Sequence, residues 1–135
     1  MFLLDTNVVS ELRKNRPHGA VVAWLNHVDD EEIFLSAVTL GELQAGVELT
    51  RRQDPLKANQ IEAWLDQVAD SYQILTMGGR EFREWARLMD DRPDQLLEDA
   101  MLAATARVHR LTVVTRNTRD FKSFDVPVFD PFTGK

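Results

Sequence analysis

Cysteine is absent from this chain of 135 residues, so disulfides and thiolate metal sites are excluded. That absence accords with a reducing compartment. No apolar run approaches the ~20 residues that a membrane-spanning helix needs. The opening run Met1-Phe2-Leu3-Leu4 is short, and no basic stretch precedes it. No signal peptide is therefore expected, and the expected location is the cytoplasm. A glycine-rich phosphate loop of the Walker type is missing, which argues against nucleotide hydrolysis. Positive charge is in deficit: 16 Lys and Arg face 22 Asp and Glu, leaving −6 at pH 7. Proteins that grip nucleic acid mainly through phosphates carry a basic patch, so this balance argues against tight, passive DNA binding. It does not argue against a nuclease, whose acidic metal site itself adds negative charge. His18, His27 and His109 have no metal-ligand spacing. No repeat, low-complexity tract or linker divides the chain, and its length fits a single domain over 1–135.

What is present is a strand–helix alternation. Phe2–Leu4, Ile33–Leu35, Gln73–Leu75, Thr112–Thr115 and Val128–Phe129 read as short strands. Helical spacing appears over 8–12, 20–28, 38–49, a segment opening at Asp54-Pro55, a segment after Gly78-Gly79, and 96–109. Asp-Pro is a capping acid followed by proline at the first helical position. The alternation predicts an α/β fold in three layers, with a mostly parallel central sheet of four to five short strands. Sites in such folds form at the carboxyl ends of strands.

Four acids draw attention against that framework. Asp5 ends the first apolar run, and a helix cap is its simpler explanation. Glu42 stands three residues after Thr39, and Thr39-x-x-Glu42 reads as a capping box. Asp120 follows the fourth strand in a polar turn, where aspartate is ordinary. Asp99 is harder to explain away. It shares a tightly packed face with Leu96, Ala100, Ala103 and Ala104, and aspartate gains nothing inside a helix without a partner. Glu98 lies about 100° around the same helix and is assigned to its flank. Carboxylates on apolar elements are costly to bury uncompensated. A shared Mg²⁺ or Mn²⁺ would compensate all four and suits phosphodiester cleavage. Trp24, Trp64 and Trp85 fit core packing. Arg13, Lys14 and Arg16 read as a solvated loop near the site mouth. Arg116 and Arg119 are better candidates for phosphate contact.

Four segments together resemble the PIN-domain nucleases, specifically the VapC and FitB-like toxins of toxin–antitoxin pairs. They are Phe2 to Glu11, Ser36 to Gly46, Leu97 to Ala106 and Val113 to Phe121, in the order of the family's motifs. Residues 51–94 carry no motif. The resemblance implies a metal-dependent endoribonuclease with metal-binding acids at Asp5, Glu42, Asp99 and Asp120. Thr6 and Thr115 match hydroxyl positions that orient the site, and Asn117 matches a polar position beside it. Either Asn117 or Asp120 completes the set; the anionic Asp120 is preferred. Asp5 and Asp99 are the expected direct ligands of Mg²⁺, for which Mn²⁺ may substitute. The resemblance also implies a cognate antitoxin that places a basic group among the acids, and homodimers or dimers of toxin–antitoxin heterodimers. DNA would be contacted only through the antitoxin. Two rivals stand beside this reading. One is a phosphohydrolase of small esters, against which Asn7 stands where a second Asp is usual. The other is a non-catalytic PIN-like binding module.

Overall fold

The computed structural model describes all 135 residues. Five strands form one sheet: β1 (Phe2–Leu4), β2 (Ile33–Ser36), β3 (Gln73–Leu75), β4 (Thr112–Val114) and β5 (Val128–Phe129). Their order is β3-β2-β1-β4-β5, and every neighbouring pair is parallel. Seven helices connect them: α1 (Thr6–Glu11), α2 (Gly19–His27), α3 (Ala37–Arg51), α4 (Pro55–Ser71), α5 (Gly79–Met89), α6 (Leu97–His109) and α7 (Thr118–Lys122). The result is the three-layer arrangement expected, with all five strands present. No helix is long and apolar enough to cross a membrane.

Side chains alternate across the strands, and the core divides accordingly. Leu3 and Val113 point to the layer of α5, α6 and α7, where they meet Ala100, Ala103, Ala106, Phe121 and Phe124. Leu4, Ile33, Leu35 and Val114 point the other way, against Val8, Val9, Val21 and Val68. Each of these fully buried aliphatic side chains contributes about 1.5–3 kcal/mol. The small residues of α6 let that helix approach the sheet closely. Trp85 locks α5 onto α6 by donating its indole N–H to the Leu97 carbonyl at 3.1 Å.

The register levels the central strands. Leu4 pairs with Leu35 on one side and with Val114 on the other. The residues just beyond, Asp5 and Thr115, therefore leave the sheet side by side, level with Ser36 at the end of β2. The Asp5 N–H donates to the Val114 carbonyl at 2.9 Å, which fixes this exit.

Candidate active site

Asp5 sits at the centre of the strand ends and is 7% exposed. One carboxylate oxygen accepts from the Thr6 N–H at 2.7 Å, so Asp5 is indeed the cap of α1. The other accepts from the Thr115 hydroxyl at 2.8 Å and the Asn7 amide at 3.2 Å. The capping and site roles therefore coexist in one side chain, each using a different oxygen. The Thr115 hydroxyl also receives the Asn117 N–H at 2.9 Å. Burial pushes the Asp5 carboxyl above its ordinary range, while Thr115 and the Thr6 N–H oppose the shift.

Asp99 and Asp120 arrive from α6 and α7. The Asn117 amide joins them, donating to Asp99 at 3.1 Å and to Asp120 at 3.0 Å. Asn117 and Asp120 thus occupy the same corner. Burial, followed by the charges of Asp5, Asp120 and Glu98, raises Asp99 to about 6; Asn117 opposes this.

One sequence reading needs correction and another an addition. Glu42 is not part of a capping box. Ser36 caps α3, its hydroxyl accepting from the Val38 N–H at 3.0 Å, so Glu42 lies inside the helix. Thr39 is fully buried, and the Thr6 hydroxyl donates to its side-chain oxygen at 3.3 Å. Glu98 is exposed on the flank of α6, as expected, but its charge reaches the acids. Glu42 is pushed up to about 7 by burial first, then by the charge of Glu98 and a hydrogen bond with it, then by Asp5. Five acids therefore share the site. The available signal was their position: Glu98 and Asp99 both stand in the first turn of α6, where the helix dipole favours acids.

The basic candidates separate. Arg116 lays its guanidinium over the Phe132 ring, 3.7 Å from the centroid, and its N–H donates to the Asn7 side chain at 3.3 Å. That places it at the rim of the acids. Arg119 is exposed on α7. Arg13 and Lys14 line a different cavity, with Lys57, Ile61 and Trp64, and Lys14 pairs with Glu11 at 2.7 Å.

The donor chemistry of the acid cluster fits a hard divalent cation. All the strong donors are carboxylates, no Lys or Arg forms an ion pair with Asp5, Glu42, Glu98, Asp99 or Asp120, and the acids raise one another's pKa. No three of them converge on one point in this arrangement.

A family model for the PIN domain matches residues 2–127. The chain belongs to the PIN domain family. Toxin FitB of Neisseria gonorrhoeae is 37% identical over 98% of this chain and 99% of its own. A VapC ribonuclease, Y4jK of Sinorhizobium fredii, is 31% identical over 98% of both chains. Among solved structures, the crystal structure of FitAcB from Neisseria gonorrhoeae superposes with a TM-score of 0.88 at 35% identity, covering 98% of this chain and 99% of the other. A toxin–antitoxin complex from Klebsiella pneumoniae gives 0.73 at 26% identity, covering 97% and 98%.

Proposed function

We propose that this PIN domain protein is the toxin of a toxin–antitoxin pair and acts as a metal-dependent endoribonuclease. The observation that carries the reading is a cluster of five acids without a basic partner, three of which, Asp5, Asp99 and Asp120, are held by Thr115 and Asn117 at level strand ends. The relatives named for toxin and ribonuclease activity span nearly the whole chain and support it.

Asp5 and Asp99 would hold a Mg²⁺ or Mn²⁺ ion directly, with Glu42, Asp120 and Glu98 completing the surroundings. When bound, such an ion acidifies water and stabilises charge on phosphoryl oxygens. The chain's own residues supply the rest. Thr115, Asn7 and the Thr6 N–H fix Asp5 in one orientation. Glu42, beside the direct ligands, would accept a proton from an attacking water. Arg116 and Arg119 would steady phosphates beside the acids, and Thr6 and Asn117 would position groups at their edge.

An acidic cluster of this kind also receives a guanidinium or ammonium group from a partner as a charge-assisted pair. This is how an antitoxin would silence the enzyme, and any DNA contact would belong to that partner. Toxin FitB and the toxin–antitoxin complex above favour such a partner. We assign the pair to the cytoplasm, as homodimers or dimers of heterodimers.

The test is cleavage of a mixed single-stranded and structured RNA pool by partner-free protein, with Mg²⁺, with Mn²⁺ and with EDTA. Cutting is expected with either metal and not with EDTA. In Asp99→Asn it should fall at least about a hundredfold while the circular dichroism spectrum is retained. Full activity in that variant would remove Asp99 from the mechanism.

A further inference from the structure

One sizeable cavity is not at the acids. It lies at the other end of the sheet, where α6 runs into β4, and has a volume of about 640 Å³. Arg80, Arg83 and Arg87 line it from α5, and Arg107 and Arg110 from the end of α6. These are five of the 16 basic residues in a chain of net charge −6. Glu84 pairs with Arg87 at 3.2 Å and with Arg107 at 3.3 Å, and Asp125 reaches Arg107 at 3.7 Å. Arg80, Arg83 and Arg110 are left with no acidic partner. Three guanidinium groups are thus free to donate bidentate hydrogen bonds, the geometry that suits phosphate.

The backbone gives a second, independent observation. Arg110 has φ +57° and occupies the left-handed position that ends α6. Glycine is the usual residue there, because a Cβ is strained in that conformation. An arginine at a position built for glycine, with its side chain on a basic cavity, points to a use for that side chain.

We infer that this arginine-lined cavity binds backbone phosphates of the RNA that the acid site cuts. The inference rests on the ribonuclease reading. A cluster of five carboxylates repels a polyanion, so basic side chains have to offset that repulsion, and this cavity gathers five arginines. Only 3 of its 11 lining residues are hydrophobic, unlike the apolar centre of a protein–protein interface. α6 links the two places. Asp99 stands in its first turn, and Arg107 and Arg110 stand about 12 and 16 Å further along the axis at 1.5 Å per residue. Stacked nucleotides advance by about 3.4 Å, so a strand held at the arginines spans that length in four or five nucleotides.

The experiment measures binding of a fluorescent RNA hairpin in EDTA, where cleavage is off, from 50 to 200 mM salt. Wild type is compared with Arg80→Ala/Arg83→Ala/Arg110→Gly, and inorganic tripolyphosphate serves as competitor. The triple variant should bind more weakly, and the slope of log affinity against log salt should fall by about 2. Tripolyphosphate should displace RNA from wild type. Melting temperature should be no lower, because glycine relieves the strain at position 110. If the triple variant fails to fold, Arg83→Gln alone, on an exposed helix face, should lower the slope by about 0.7. Equal affinity and slope in folded variants would overturn the proposal, even if the protein cuts RNA. Tripolyphosphate binding to protein that ignores the hairpin would also overturn it. Loss of hairpin binding in protein that never cuts RNA would uphold the phosphate site and sink the ribonuclease reading instead.

Discussion

Asn117 shows how one neutral side chain makes an acidic cluster tolerable. Its amide donates to two carboxylates at once, so Asp99 and Asp120 approach without an ion between them. Asn117→Asp would remove both bonds and add a charge. Hydrogen bonds to charged groups contribute more than neutral ones, and these are half-buried. The variant is expected to lose about 1 kcal/mol in EDTA at pH 8, seen as a fall of a few degrees in melting temperature. Excess Mg²⁺ should recover more of that loss than it adds to wild type. The individual acids were legible in the sequence because each interrupts an apolar or turn context. Their partners were not. The role of Asn117 depends on α6 and α7 meeting, and the pairing of Glu98 with Glu42 depends on α6 meeting α3. Helical angles within one element carry no information about either encounter.

The elements were mostly legible, and the misses have local causes. Strand positions followed from short apolar runs, and the start of α4 from Asp54-Pro55, where the Asp54 carboxylate accepts from the Lys57 N–H at 3.1 Å. α7 was read as a turn because five residues are too few to show a period. α3 begins earlier than its apolar pattern suggests because Ser36 is both the last residue of β2 and the cap of α3. That junction sets the position of Glu42. Ser36→Ala leaves the part-buried Val38 N–H without its acceptor. A loss of about 1–2 kcal/mol is expected, measured as a lower urea midpoint at unchanged slope. α5 gave no functional signal in the sequence. Its arginines at 80, 83 and 87 acquire meaning only beside those that end α6.

At the scale of the whole molecule, the acids tie stability to pH. Glu42 at about 7 and Asp99 at about 6 bind protons more tightly in the folded protein than carboxyls of the unfolded chain do. Between about pH 4.5 and pH 7 the folded state therefore holds more protons, and stability falls as pH rises through that window. Metal-free protein should melt at a higher temperature near pH 5 than near pH 8. Glu42→Gln should flatten that difference, and a profile unchanged by the substitution would mean that other groups set it. The sheet order has a different kind of consequence. The first strand made is the central one, and the hydroxyl that orients Asp5 belongs to Thr115, 110 residues later in the chain. At about 5–20 residues per second, a ribosome needs on the order of 5–20 s to go from one to the other. Throughout that interval the nascent chain lacks β4, α7 and Asp120. On the nuclease reading, the acid site is thus complete only when synthesis is nearly finished, which would leave the length of translation for an inhibitor to be at hand.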